Sequence, residues 1–170
     1  FYVDRNIETI IIPNFIKRIR KYVFRGFQKL RFVGFQSNSK IEIIDKRSFE
    51  SSSIESIILP SNLKVIEYGA FCGCYNLYKV EIKNDSKLKK IGTFSFCSTS
   101  IKSFFIPSNL TSIGFNIFSS SDNLQIVEIN DNPIISIHFL DFLNIEQVIV
   151  MVSANRRNLF NLNHLDHENY

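Results

Sequence analysis

One phrase recurs through this 170-residue chain at a nearly fixed interval, and that recurrence limits the fold more than any other feature. It reads Ile7-Glu-Thr-Ile10-Ile-Ile12-Pro13, Ile54-Glu-Ser-Ile57-Ile-Leu59-Pro60 and Ile101-Lys-Ser-Phe104-Phe-Ile106-Pro107. Between these lie Leu30-Arg-Phe-Val33-Gly-Phe35, Leu77-Tyr-Lys-Val80-Glu-Ile82 and Leu124-Gln-Ile-Val127-Glu-Ile129. All fit apolar-x-x-apolar-x-apolar, and the starts at 7, 30, 54, 77, 101 and 124 are 23 or 24 residues apart. The second half of each repeat is as regular. Pairs spaced by three (Ile16/Ile19, Ile41/Ile44, Leu63/Ile66, Leu88/Ile91, Leu110/Ile113) are each followed five residues later by Phe24, Phe49, Phe71, Phe96 or Phe118. Only the connectors vary, Pro60-Ser61-Asn62 in one register and Lys83-Asn-Asp-Ser-Lys87 in the other.

Such a period specifies a solenoid. Alternate residues of a strand point to opposite faces, so the last two apolar positions of the phrase share one face. The chain then leaves the sheet at a Pro or polar link and returns across the back with its Leu/Ile pair and Phe turned inward. Stacked coils place equivalent strands about 4.8 Å apart in a parallel sheet. The five phenylalanines then form one aromatic stack. With 45% apolar residues the chain can fill that core, and no apolar run approaches the ~20 residues of a membrane-spanning helix.

Phe1 stands six residues before Ile7, as Phe24 precedes Leu30, so the chain is expected to start partway through a repeat. Downstream, Ile134, Ile137 and Phe142 keep the spacing, and Ile145-Glu146-Gln-Val148-Ile149-Val150 reads as a seventh strand. The expected division is a solenoid over 1–153 and a cap or tail over 154–170, where Leu159, Leu162 and Leu165 would cover the last coil as a short helix.

The stretches Leu63-Lys-Val-Ile66-Glu-Tyr-Gly-Ala70-Phe71-Cys-Gly-Cys74 and Leu88-Lys-Lys-Ile91-Gly92-Thr-Phe-Ser95-Phe96 resemble the BspA-like, or Treponema-type, leucine-rich repeat. The resemblance covers about residues 7–150. Val23 and Ile117 depart from the small residue before Phe, only Gly92 and Gly114 keep the Gly, and the Cys three after Phe survives only at Cys74. It implies an α/β class fold: a right-handed solenoid of six to seven coils, a parallel sheet on the concave face, and short turns or single helical turns on the convex face. It also implies a non-enzymatic surface or secreted adhesin-like module that binds a protein or glycan. The alternative is an intracellular scaffold for a protein partner.

On a concave face the x positions of the phrase are displayed. The second positions, Glu8, Arg31, Glu55, Tyr78, Lys102, Gln125 and Glu146, alternate in sign, the pattern of compensating cross-strand pairs. The fifth positions, Ile11, Gly34, Ile58, Glu81, Phe105, Glu128 and Ile149, put apolar groups outside the core. With Phe32, Tyr78 and Ile126 these would make an apolar and aromatic stripe among charges, as protein-binding patches do. Ordinary β-propensity explains such residues equally well. The expected contact set is Glu55, Ile58, Tyr78, Lys79, Glu81, Lys102, Phe105, Ile126 and Glu128.

Lys17, Arg18, Arg20, Lys21, Arg25, Lys29 and Arg31 form a run without an acid, in a chain of net charge +4. It would attract acidic glycans, anionic lipid or nucleic acid, although solvated turns are its simplest reading. No nucleic-acid motif accompanies it. No catalytic motif is present, so no enzyme activity, cofactor or metal is expected. His164, Asp166, His167 and Glu168 make a tail cluster best read as a solvated terminus, and His138 stands apart. Cys72 and Cys97 occupy matching positions of adjacent coils, within conceivable bridging distance, but small buried thiols are the expectation for all three cysteines. Asn84 and Asn109 head Asn-x-Ser/Thr triplets, glycosylation acceptors in a secreted eukaryotic protein.

Overall fold

A computed structural model describes residues 4–130 and 149–152. Among them the chain is all-β. The strands run in order: β1 Thr9–Ile12, β2 Arg18–Ile19, β3 Phe32–Phe35, β4 Ile43–Ile44, β5 Ser56–Ile58 and β6 Val65–Ile66. After them come β7 Lys79–Glu81, β8 Lys90–Ile91, β9 Ser103–Ile106, β10 Ser112–Ile113, β11 Ile126–Ile129 and β12 Ile149–Val152. The odd strands to β11, followed by β12, are the recurring phrase and pair in parallel, in the registers β1-β3-β5-β7 and β9-β11-β12. Ile10 lies beside Val33, Ile57 beside Val80, and Phe104 beside Val127, so each phrase position stacks on its equivalent. The returning segments form a second parallel sheet, β2-β4-β6-β8-β10. Five complete coils result, with two further strands. Of the short turns or single helical turns expected on the convex side, the described residues show turns and two-residue strands and no helical turn.

The phenylalanine file is present. Ring centroids are 5.1 Å apart from Phe24 to Phe49 and from Phe49 to Phe71, and 5.2 Å from Phe71 to Phe96. The last two pairs are within 3° of parallel. Phe49, Phe71 and Phe96 are wholly buried, together with the leading Leu30, Ile54, Leu77 and Ile101 of the phrase. Each coil turns around its Phe by a device the repeat pattern does not announce. The residues two before and two after it have positive φ in all five coils: Tyr22/Gly26, Arg47/Ser51, Gly69/Gly73, Phe94/Ser98 and Asn116/Ser120. Flanked by these two left-handed residues, the Phe amide reaches the next coil, as from Phe49 N to Ala70 O (2.8 Å) and from Phe71 N to Ser95 O (2.8 Å). Three residues after Phe, Ser52, Cys74, Thr99 and Ser121 are buried. The Cys74 thiol donates to Phe49 O (3.0 Å), and the Ser121 hydroxyl donates to Phe96 O (2.9 Å). Hydroxyls thus stand in three coils where the resembled repeat has cysteine, while the first coil has the buried Phe27 there.

The stack has one irregularity. Among the described residues no ladder joins β7 to β9. The core position held by Ile10, Val33, Ile57, Val80 and Val127 elsewhere is here Phe104. Its ring lies 5.0 Å from both Phe96 and Phe118, whose own separation opens to 6.1 Å. On the back the same coils approach closely. A Cβ on Gly114 would collide with the backbone of Gly92 and Thr93, and one on Gly92 would meet Tyr68 N at 2.6 Å. These are the two positions that keep the family's glycine.

The seventh strand is displaced from its expected register. Ile126 pairs with Ile149 and Ile129 with Val152, so the period of 23 continues and the phrase starts two residues later than expected. Ile149 therefore holds the third position and Met151 the fifth. Phe1, Glu146, Ile134, Ile137, Phe142 and the expected cap over 154–170 lie outside the described residues, as do the three histidines.

Candidate interaction surface

The outward face of the long strands carries the expected contact set. Ile58 (53%) and Tyr78 (51%) are well exposed, as are Ile11, Phe32 and Ile149. Lys79, Lys102 and Glu128 are exposed too, whereas Glu55, Glu81 and Ile126 are half-buried. Phe105 departs from expectation. It is half-buried and leans on the core, next to the unpaired edge of β7. Of the alternating second positions, one cross-strand pair forms among the described residues. Arg31 donates to Glu55 on the next strand (2.8 Å), while Lys79 pairs along its own strand with Glu81 (3.4 Å).

Gly34 adds a feature that the sequence pattern did not expose. It holds the fifth position of the second coil between Ile11 and Ile58, and Ile11 Cδ1 lies 2.7 Å from where a Cβ would stand. The missing side chain lets Ile11 lean over the second coil. Gly34 lines a groove of about 820 Å³ running from Ile11 and Phe32 past Ile58 to the links at Asn62 and Lys87. The Pro-Ser-Asn links recur for a structural reason. Asn62 Nδ2 donates to Ser39 O (2.9 Å) and Asn109 Nδ2 to Ser86 O (2.8 Å), each tying its link to the coil before. The amide of Asn109 is thus engaged, whereas Asn84 is exposed in its link.

The cysteines divide differently from the expectation of free thiols. Cys72 and Cys97 are joined by a disulfide across adjacent coils, with Cα atoms 4.7 Å apart. They occupy the position just after Phe, which in the first two coils holds the ion pair Arg25–Glu50. Cys74 is the free thiol, and burial pushes its pKa from 9.0 up to about 12, with the hydrogen bond to Ser52 pulling the other way. It is a packed donor, not a nucleophile. Among the described residues no three His, Cys, Asp or Glu side chains cluster as metal ligands do. No helix among them is long and apolar enough to cross a membrane.

The profile of the BspA type leucine rich repeat region matches residues 1–125 and 42–160, in six copies. Among solved structures, the chain is similar to the pneumococcal vaccine antigen PcpA, at 30% identity and TM-score 0.69, over 72% of this chain and 30% of that one. It is similar in fold to the T. pallidum leucine rich repeat protein TpLRR (22%, TM-score 0.67, covering 75% and 60%). The same holds for a leucine rich cell surface protein from Faecalibacterium prausnitzii (20%, TM-score 0.54, covering 75% and 40%). The chain thus spans less than two thirds of the length of each of these relatives. No curated protein matches its sequence.

Proposed function

The chain belongs to the BspA-type leucine-rich repeat family, and from that premise we propose that it is a non-enzymatic interaction module at a cell surface or in a secreted protein. It binds a protein partner through the outward face of the long strands. The observation that carries this reading is the set of exposed apolar and aromatic side chains there. Ile11, Phe32, Ile58 and Tyr78 stand among Arg31, Lys79 and Glu81, where a merely solvated sheet face would be polar. The groove at Gly34 gives an apolar side chain somewhere to seat. Location outside the cell is supported by a vaccine antigen and a cell surface protein among the structural relatives, and by the Cys72–Cys97 bridge. Structural disulfides persist in oxidising compartments and are rare in the cytosol, which counts against the intracellular scaffold.

The test is binding of labelled protein to intact epithelial and bacterial cells, compared with an Ile58→Ser/Tyr78→Ala/Lys79→Glu variant. The variant should lose most cell binding while its melting midpoint moves little, since all three side chains are exposed. Equal binding by a folded variant removes this face from consideration.

A further inference from the structure

A second surface lies where the back sheet meets the phenylalanine turns of coils one to three. Three carboxylates there already have cationic partners. Asp45 meets Arg18 (3.6 Å), Glu50 meets Arg25 and Arg47, and Glu67 meets Lys90 (3.2 Å). Lys17, Arg20, Lys21 and Lys46 are exposed and meet no carboxylate among the described residues. Arg20, Lys21 and Lys46 line a shallow groove of about 490 Å³ together with Arg18, Asp45 and Glu67, so that its cations outnumber its carboxylates four to two. Lys21 and Lys46 hold the same repeat position, and that position becomes Tyr68 in the third coil and Phe115 in the fifth. Backbone bonds from Arg47 N to Tyr68 O (3.0 Å) and from Phe94 N to Phe115 O (3.1 Å) keep these positions in file. Arginines face the rings: Arg25 lies 5.6 Å from the Tyr22 centroid and Arg47 lies 5.4 Å from that of Tyr68.

We propose that this strip binds a linear polysaccharide carrying sulfate or carboxylate groups, independently of the long-strand face. Lys21 and Lys46, in file across the first two coils with Arg20 beside them, match a short run of polyanion lying across those coils, and guanidinium and ammonium groups recognise its oxyanions. A membrane fits less well. Tyr22 and Tyr68 are each faced by an arginine, so inserting them into lipid would bury a charge. This choice of ligand rests on the extracellular location proposed above, where anionic polysaccharides are met rather than cytosolic nucleic acid.

The test uses the intact chain with heparin as probe, measured by calorimetry from 50 to 200 mM salt. The comparators are desulfated heparin, single-stranded DNA of matched charge, and vesicles of phosphatidylserine and phosphatidylcholine. Affinity for heparin should fall about 20–40-fold over that range, the effect of about three released counterions. The Lys21→Glu/Lys46→Glu variant should bind at least tenfold more weakly with an unchanged melting midpoint. Tyr78→Ala, on the other face, should bind heparin as the wild type does. Equal binding of desulfated heparin, a preference for DNA or vesicles, or undiminished binding by the double variant overturns the proposal.

Discussion

Replacing both Cys72 and Cys97 by serine removes a covalent staple and leaves the coil geometry otherwise intact. The cysteines are 25 residues apart, so the bridge closes a loop of that length in the unfolded chain. The loop-closure relation, −2.1 − 1.5R ln n, gives about −12 cal/mol/K, or about 3.5 kcal/mol at 298 K. Residual structure in the denatured ensemble trims this, so a loss of about 2–3.5 kcal/mol is expected. The assay is urea unfolding followed by far-UV circular dichroism. With a slope of about 2 kcal/mol/M, the midpoint of the double variant should fall by about 1–2 M. Wild type treated with reductant should unfold at the variant's midpoint, and the variant itself should ignore reductant. Thiol titration supplies an independent readout: denatured, unreduced wild type should show one reactive thiol, Cys74, of its three cysteines. Three reactive thiols, or coincident unfolding curves for wild type and variant, would refute the bridge and with it the argument from compartment.

Two further outcomes follow from the core. Phe71→Ala should cost about 3–5 kcal/mol in the same urea experiment, because the ring is wholly buried between Phe49 and Phe96 and its neighbours cannot close the gap; an unchanged midpoint would contradict the stack. The Cys74 thiol is held neutral to about pH 12 in the native state but ionises near its ordinary 9.0 when unfolded. Its contribution is therefore fully present below pH 9 and is lost as pH rises from there toward 12. Wild type should lose more stability than Cys74→Ala across that range, and parallel curves would show that the thiol ionises alike in both states.

The repeat made the architecture legible because each fixed position answers to burial alone. Leu30, Ile54, Phe71 and Phe96 are apolar for one reason, and the same residue type at a constant interval has no other physical explanation. What escaped notice depends on backbone conformation or on single substitutions. The paired left-handed residues around each Phe are glycine only at 26, 69 and 73, so Tyr22, Arg47 and Phe94 conceal the turn they make. The disulfide rests on two cysteines that a reduced protein would bury just as readily. The displaced seventh strand arose because Ile145 imitates the leading apolar residue; a two-residue slip leaves the alternation of faces intact and is invisible to a pattern of period two. Of the candidate surface, the positions were readable, since alternation fixes which side chains leave the core. Phe105 is the exception: it packs partly against the core on β9, where no ladder to β7 forms among the described residues.

Phe104 also bears on how a ligand meets this molecule. Its ring stands at the front where, among the described residues, the ladder between β7 and β9 is missing, while Gly114 keeps the same two coils in close backbone contact behind. The contact set straddles that break, with Ile58, Tyr78 and Lys79 on one side and Lys102, Phe105 and Ile126 on the other. A partner that engages the whole of the proposed face would bridge two separately hydrogen-bonded sheets, β1-β3-β5-β7 and β9-β11-β12.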